Sequence, residues 1–301
     1  GFTLQRGGAN SEMIGGGMIL AAGTVQNCII VSNDVTREPK GAGIYMTGGT
    51  VSNCTIVANR HTGYFYGGAG IFMLSGLVTD SLVAGNTDAS TSVGYGGILP
   101  GGAGIHAEGG MVRNCVIRGN AGSAHGAGVM VSGPAVIRSC LIAGNTAVGG
   151  VDGGGVWLSH AGARIENCTI VRNAAGGAGG GVSIASGTVS NSIVYFNGAP
   201  SDANYSGSAG AVGYCCVTPN LGAPNVGDDP RFRDAGAGFG TNAVLGLYTL
   251  ELSSPCANRG LNDLSWMTVA RDLDGNARIG AGTVDIGAYE LKPMGSIVVV
   301  R

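Results

Sequence analysis

The chain has 301 residues with a formal net charge of −2, 59 glycines, 44 % hydrophobic and only 11 % charged residues. A run of basic residues is missing, so the electrostatic footprint of a nucleic-acid or anionic-membrane binder is missing too. The glycine content has no collagen period, and the apolar share is too high for a disordered polar tract, so a compact fold is expected.

The chain opens in mid-repeat at Gly1-Phe2-Thr3-Leu4, which reads as the second strand of a coil. On that reading any signal peptide and N-terminal cap precede this numbering. No stretch of eighteen apolar residues occurs, so no transmembrane segment is expected.

Two phrases then recur together. One reads Gly-x-Gly-aliphatic and carries Met18, Ile44, Ile71, Ile105, Val129, Val156 and Val182. The other has Cys28, Cys54, Ser81, Cys115, Cys140, Cys168 and Ser192 at one phase and closes on Asn33, Asn59, Asn86, Asn120, Asn145, Asn173 and Asn197. The steps between the small residues are 26, 27, 34, 25, 28 and 24. A period of this size means a solenoid whose units bury their faces only by stacking. Each unit reads as short strands between Gly-rich corners without helical spacing, which excludes leucine-rich and helical solenoids. The expected fold is all-β: a single-stranded right-handed parallel β-helix of about eight coils, roughly 35 to 40 Å long, with a C-terminal capping region. Residues 1–200 are assigned to the repeats and 201–301 to the last coil or coils, the cap and a terminal strand.

The five cysteines at one phase read as small interior ladder residues, because Cβ atoms one strand spacing apart lie beyond the usual separation in a disulfide. The closing asparagines read as a second, corner ladder whose amides bond to the coils above and below.

Candidate functional residues lie outside these ladders. The residues after each aliphatic position are Ile19, Tyr45, Phe72, His106, Met130, Trp157 and Ser183; if the aliphatic side chain points inward, these form an exposed, largely apolar stripe. Tyr45, Phe72 and Trp157 would then suit sugar rings or a partner surface, the alternative being cross-coil packing. Insertions at 34–40, 60–66 and 87–100 fall at one corner of consecutive coils and gather Arg37, Lys40, His61, Tyr64, Phe65, Tyr66 and Tyr95 into a candidate glycan or protein contact. His106 and Glu108, two apart and facing Arg113 and Arg118, are the candidate Brønsted pair, against a reading as solvated outer-face residues. Strands such as 54–57 are apolar on both faces, so a cover is expected: the C-terminal segment, including the apolar run 296–300, or a second copy adding to an edge as an oligomer or filament.

After about residue 200 the repeat stops. Asp272, Asp274 and Asn276 have the alternating oxygens that open a calcium loop, but not the rest of that loop, so a turn is the competing reading. A structural calcium ion or no cofactor at all is therefore expected.

Asp229-Pro230-Arg231-Phe232, Ser254-Pro255-Cys256, Asp272-Leu273-Asp274-Gly275-Asn276 and Asp285-Ile286-Gly287-Ala288-Tyr289-Glu290 resemble the C-terminal block of secreted bacterial β-helix proteins of the pectin-lyase-like group, whose tails are of choice-of-anchor type. The repeats resemble those of polymorphic outer-membrane proteins. The resemblance implies the right-handed fold, export to a secreted or cell-surface location, and hence an oxidising setting in which Cys216 and Cys256 could pair across the cap. It does not extend to the acidic clusters or Gly-His-Gly phrase of lyase-like and polygalacturonase-like relatives, and after Ser-Pro-Cys the chain has Ala257-Asn258-Arg259-Gly260 where relatives usually have Ile-Asp-Ala-Gly. The favoured reading is an extracellular scaffold for structure, adhesion or glycan contact, with polysaccharide or protein partners; the alternative is a polysaccharide lyase or glycoside hydrolase.

Overall fold

A computed structural model describes residues 1–9, 15–36, 40–63, 67–90, 101–263, 265–279 and 282–291. Its strands stack almost entirely in parallel, with register carried from coil to coil. A long sheet of nine strands runs from Thr3–Gln5 to Cys216–Val217, and a short sheet of two-residue strands runs from Gly8–Ala9 to Ala174–Ala175. A third, fourteen-stranded sheet joins two columns, exemplified by Ile44–Met46 and Thr50–Ser52, and Val156–Glu166 runs through both. The result is a parallel β-solenoid of about seven turns with almost no helix. Its parallel ladder ends at Cys216–Val217; beyond it only isolated bridges and one 3-10 turn occur among the described residues.

Alternation decides the interior. Ile44 and Met46, Val51, Cys54 and Ile56 point inward from one coil and join Ile71, Met73, Val78 and Val83 of the next in one continuous core. The asparagine ladder runs beside it. Asn86 Nδ2 donates to Asn120 Oδ1 at 3.0 Å and to the Ile56 carbonyl of the preceding coil at 3.0 Å, while its backbone N–H donates to the same Asn120 oxygen at 3.0 Å. The pattern continues to Asn197, which bonds to Asn204.

The ladder explains why the glycine and asparagine phrases travel together. A Cβ on Gly70 would lie 2.4 Å from the Gly104 carbonyl oxygen and 3.0 Å from Asn86 Nδ2. Only a residue without Cβ lets the backbone approach its own coil's asparagine this closely. The opposite corner is closed by a single residue in the left-handed region, such as Asn53 at φ 49° and Asn114 at φ 50°, which asparagine tolerates better than most residues that carry a Cβ.

The cysteine ladder is interior, as its spacing predicts, and it has one more rung. Cys215 Sγ accepts from the Ser192 N–H at 3.4 Å, and Cys54 N–H donates to Ser81 Oγ at 3.0 Å. The thiols point back at the carbonyl two residues earlier, as Cys115 does to Arg113 at 3.1 Å. Burial pushes the Cys215 thiol up to about 12.

The C-terminal block lies back along the outer face of the long sheet. Phe232, Tyr248, Leu250, Cys256 and Ile286 pack against Leu141, Ala143, Val171 and Ile193, the outward residues of that sheet. Arg172 fastens it by donating to the Ala235 and Gly236 carbonyls at 2.8 and 2.7 Å, and Asn191 exchanges two bonds of 2.8 Å with the Leu261 backbone. The cover expected over the doubly apolar strands is therefore supplied, in the C-terminal coils, by the chain's own tail. The apolar run 296–300 lies outside the described residues.

Candidate functional site

The stripe expected to be exposed is buried. Tyr45 is 7 %, Phe72 0 %, His106 0 %, Met130 1 % and Trp157 8 % exposed, and of its large residues Ile19 alone, at 54 %, meets solvent. These side chains do face away from the core, but they are covered, and among the described residues Lys40 and Gly101 lie against them. The Lys40 ammonium sits 4.7 Å from the Phe72 ring centre, and Gly101 lies close against Met130 Sδ. Inside this cover the rings stack across coils: Tyr45 on Phe72 at 5.9 Å, Phe72 on His106 at 4.5 Å, and Trp157 on His125 at 5.0 Å. Of the corner cluster, Arg37, Tyr64, Phe65, Tyr66 and Tyr95 lie outside the described residues. His61 is described and is fully buried against Asp88 at 3.1 Å.

The candidate Brønsted pair is not brought together. His106 Nε2 meets Ser132 Oγ of the next coil at 2.8 Å, and Glu108 follows the strand Ile105–Ala107 with its charge felt at Tyr45. Burial, helped by the Lys40 ammonium, pushes His106 down to about 3, so the imidazole is neutral at ordinary pH. Arg113 and Arg118 sit at different corners, one beside Asn114 and Arg138, the other beside Gly119 and Leu245.

In the cap, Asp272 closes a tight turn. Its Oδ1 accepts from the Asp274 and Asn276 backbone N–H groups at 3.0 and 2.6 Å, and its Oδ2 accepts from Asn276 Nδ2 at 2.9 Å and the Glu290 N–H at 2.7 Å. Asp272, Asp274 and Asn276 thus meet as donors and acceptor of one turn, and among the described residues no group of three or more His, Cys, Asp or Glu converges as a metal site. Cys216, on the last rung, and Cys256, in the cap, are both buried free thiols in one apolar cluster, and each faces the other. Their mutual contact and burial push the Cys216 thiol upward.

One open feature is a groove of about 340 Å³ between the cap segment 265–271 and the corner of the middle coils. Its walls are Arg113, Asn114, Arg138 and Ser139 on the coil side and Ser265, Trp266, Val269, Ala270 and Arg271 on the cap side. Arg113 and Arg138 are in register on adjacent rungs, with Glu166 on the next. Arg138 donates from Nε to Glu166 Oε2 at 2.8 Å and stacks its guanidinium 3.9 Å from the Trp266 ring centre, which fixes the indole against the coil. Asp263, beside this pair, is held below the usual carboxylate range by bonds from Ser265 and by Arg138.

This groove escapes sequence reasoning. The shared phase of Arg113, Arg138 and Glu166 is a legible signal for the coil wall, but nothing local brings Trp266 and Arg271, 100 residues or more away, to it.

The family model described as "Right handed beta helix region" matches residues 50–217, more than half of the chain. No curated protein and no solved structure matches it.

Proposed function

The chain belongs to the right-handed β-helix family, and from that premise we propose that it is an extracellular or cell-surface scaffold that contacts glycans along its flank. The observation that carries this reading is the open groove between cap and coils, with the Trp266 indole, two hydroxyls, an amide and guanidinium groups on a rigid ladder. An indole with convergent polar groups suits the mixed apolar and hydroxylated faces of a sugar. The enclosed histidines support the same reading, because His106 of the outer stripe and His61 of the corner cluster are buried and tied into pairs.

The test incubates the protein with acidic and neutral polysaccharides, with and without calcium, while unsaturated uronate absorbance, reducing ends and binding are followed. Binding without product is expected. Formation of new product would replace this reading with a polysaccharide lyase or glycoside hydrolase, and the absence of binding to every polymer would remove it.

A further inference from the structure

We infer that the groove between the cap and the middle coils takes an acidic polysaccharide, its carboxylate or sulfate held between Arg113 and Arg271 with a sugar ring beside Trp266. This rests on the glycan-contacting reading and names the class of ligand.

Positive charge is in excess at this corner. Four guanidinium groups are gathered at this corner: Arg113, Arg138 and Arg271 in the groove, and Arg164 beside it. Glu166 accounts for two of them, pairing Arg138 closely and reaching Arg164 at 3.4 Å. Two further carboxylates lie near. Asp80 accepts from Thr79 Oγ1 at 2.7 Å and from Asn114 at 3.5 Å, and Asp263 accepts from Ser265. Neither is within ion-pair distance of Arg113 or Arg271, and among the described residues those two guanidiniums have no carboxylate partner.

Arg113 is nevertheless oriented, since its Nε donates to Thr79 Oγ1 at 3.3 Å, and Arg271 is oriented by donation from Nη1 to the Gly275 carbonyl at 3.3 Å. Each keeps N–H groups to offer. A chain of net charge −2 thus brings two unpaired, positioned cations from distant segments to the two walls of one groove. Planar guanidinium forks match carboxylate and sulfate oxygens, and such charge-assisted bonds are the strong ones. The Trp266 indole, on the cap wall with Arg271, supplies the apolar surface that selects a sugar over a bare anion.

The experiment measures binding of the folded chain to polygalacturonate, dextran sulfate, unmodified dextran and polyglutamate at low and at 0.5 M added salt, about the range where screening shortens from ten to a few ångströms. The double variant Arg113→Gln/Arg271→Gln and the single variant Trp266→Ala are compared with the parent, each checked for an unchanged thermal midpoint. We expect the double variant to weaken acidic-polysaccharide binding about ten-fold or more, leaving dextran unaffected, and Trp266→Ala to weaken the polysaccharides but not polyglutamate. Equal binding of acidic polymers by parent and double variant overturns the inference and leaves the scaffold reading standing, as does binding of dextran alone. Polyglutamate bound as tightly as the acidic sugars, and indifferent to Trp266→Ala, overturns the assignment to a saccharide. Binding of no polysaccharide removes both readings.

Discussion

The Asn86 side chain makes four hydrogen bonds inside the wall of the solenoid, accepting two from Asn59 and donating to the Ile56 carbonyl and to Asn120 Oδ1, and it is 0 % exposed, so its removal leaves buried partners on both neighbouring coils without a donor or acceptor. Asn86→Ala should destabilise by roughly 2 to 4 kcal/mol, checked by urea unfolding, and Asn86→Asp should do no better because it loses the donor. His106 acts on a different variable. Its folded pKa is about 3 against 6.5 in the unfolded chain, so the unfolded state takes up the proton first as the medium is acidified. The neutral, buried imidazole contributes stability above pH 6.5 that is lost as pH falls toward 3, with a slope of up to about 1.4 kcal/mol per pH unit. Unfolding measured at pH 7 and pH 4.5 should show this loss in the parent and a shallower one in His106→Gln; equal slopes would separate His106 from acid sensitivity. The repeat made His106 legible as an outer-face residue. Its burial was not legible, because Lys40 and Gly101 reach it from segments whose path no repeat specifies.

At the scale of elements, the cap is held by its apolar underside and by the last rung. Phe232 is 6 % exposed and packs on Phe196 and Tyr248, so Phe232→Ala should cost about 3 to 5 kcal/mol if the block is integral to the fold. The same change would leave stability nearly unaltered if the tail were an appendage. Cys216 and Cys256 face each other across this junction as free thiols, and we propose that an oxidising medium joins them. The joined form should lack two hydrogens by mass spectrometry under non-reducing conditions and gain roughly 2 to 4 kcal/mol over Cys256→Ser. Cys28, Cys54, Cys115, Cys140, Cys168 and Cys215 should instead be alkylated only after unfolding, since each is a buried ladder residue. The ladder phase was readable from spacing alone. Cys215 was not, because the last coil shortens and the step from Ser192 falls to 23 residues just where the flanking phrases lose their form.

For the whole molecule, the tail divides the long sheet into a covered and an open half. Leu141, Ala143 and Val171 are buried beneath the cap, whereas Ile29 is 45 % exposed and Val31, Thr55 and Val57 are half-buried. Backbone amides of Ile29–Val31 and Thr55–Val57 should therefore exchange with deuterium faster than those of Leu141–Ala143 and Thr169–Val171, although all four strands carry the same ladder bonds. Equal protection along the rod would mean that the cap contributes nothing to local stability. The architecture itself was determined by the sequence, because stacking at one period makes every coil's environment the coil before it. Two phrases recurring every 24 to 34 residues therefore specify strand, corner, core and both ladders. The tertiary structure decided everything that leaves the period: which outward side chains are enclosed, where the non-repeating tail lies, and that Trp266 and Arg271 face Arg113 and Arg138 across an open groove. Those contacts join segments with no common register, so their free energy depends on packing between surfaces that the repeat does not encode.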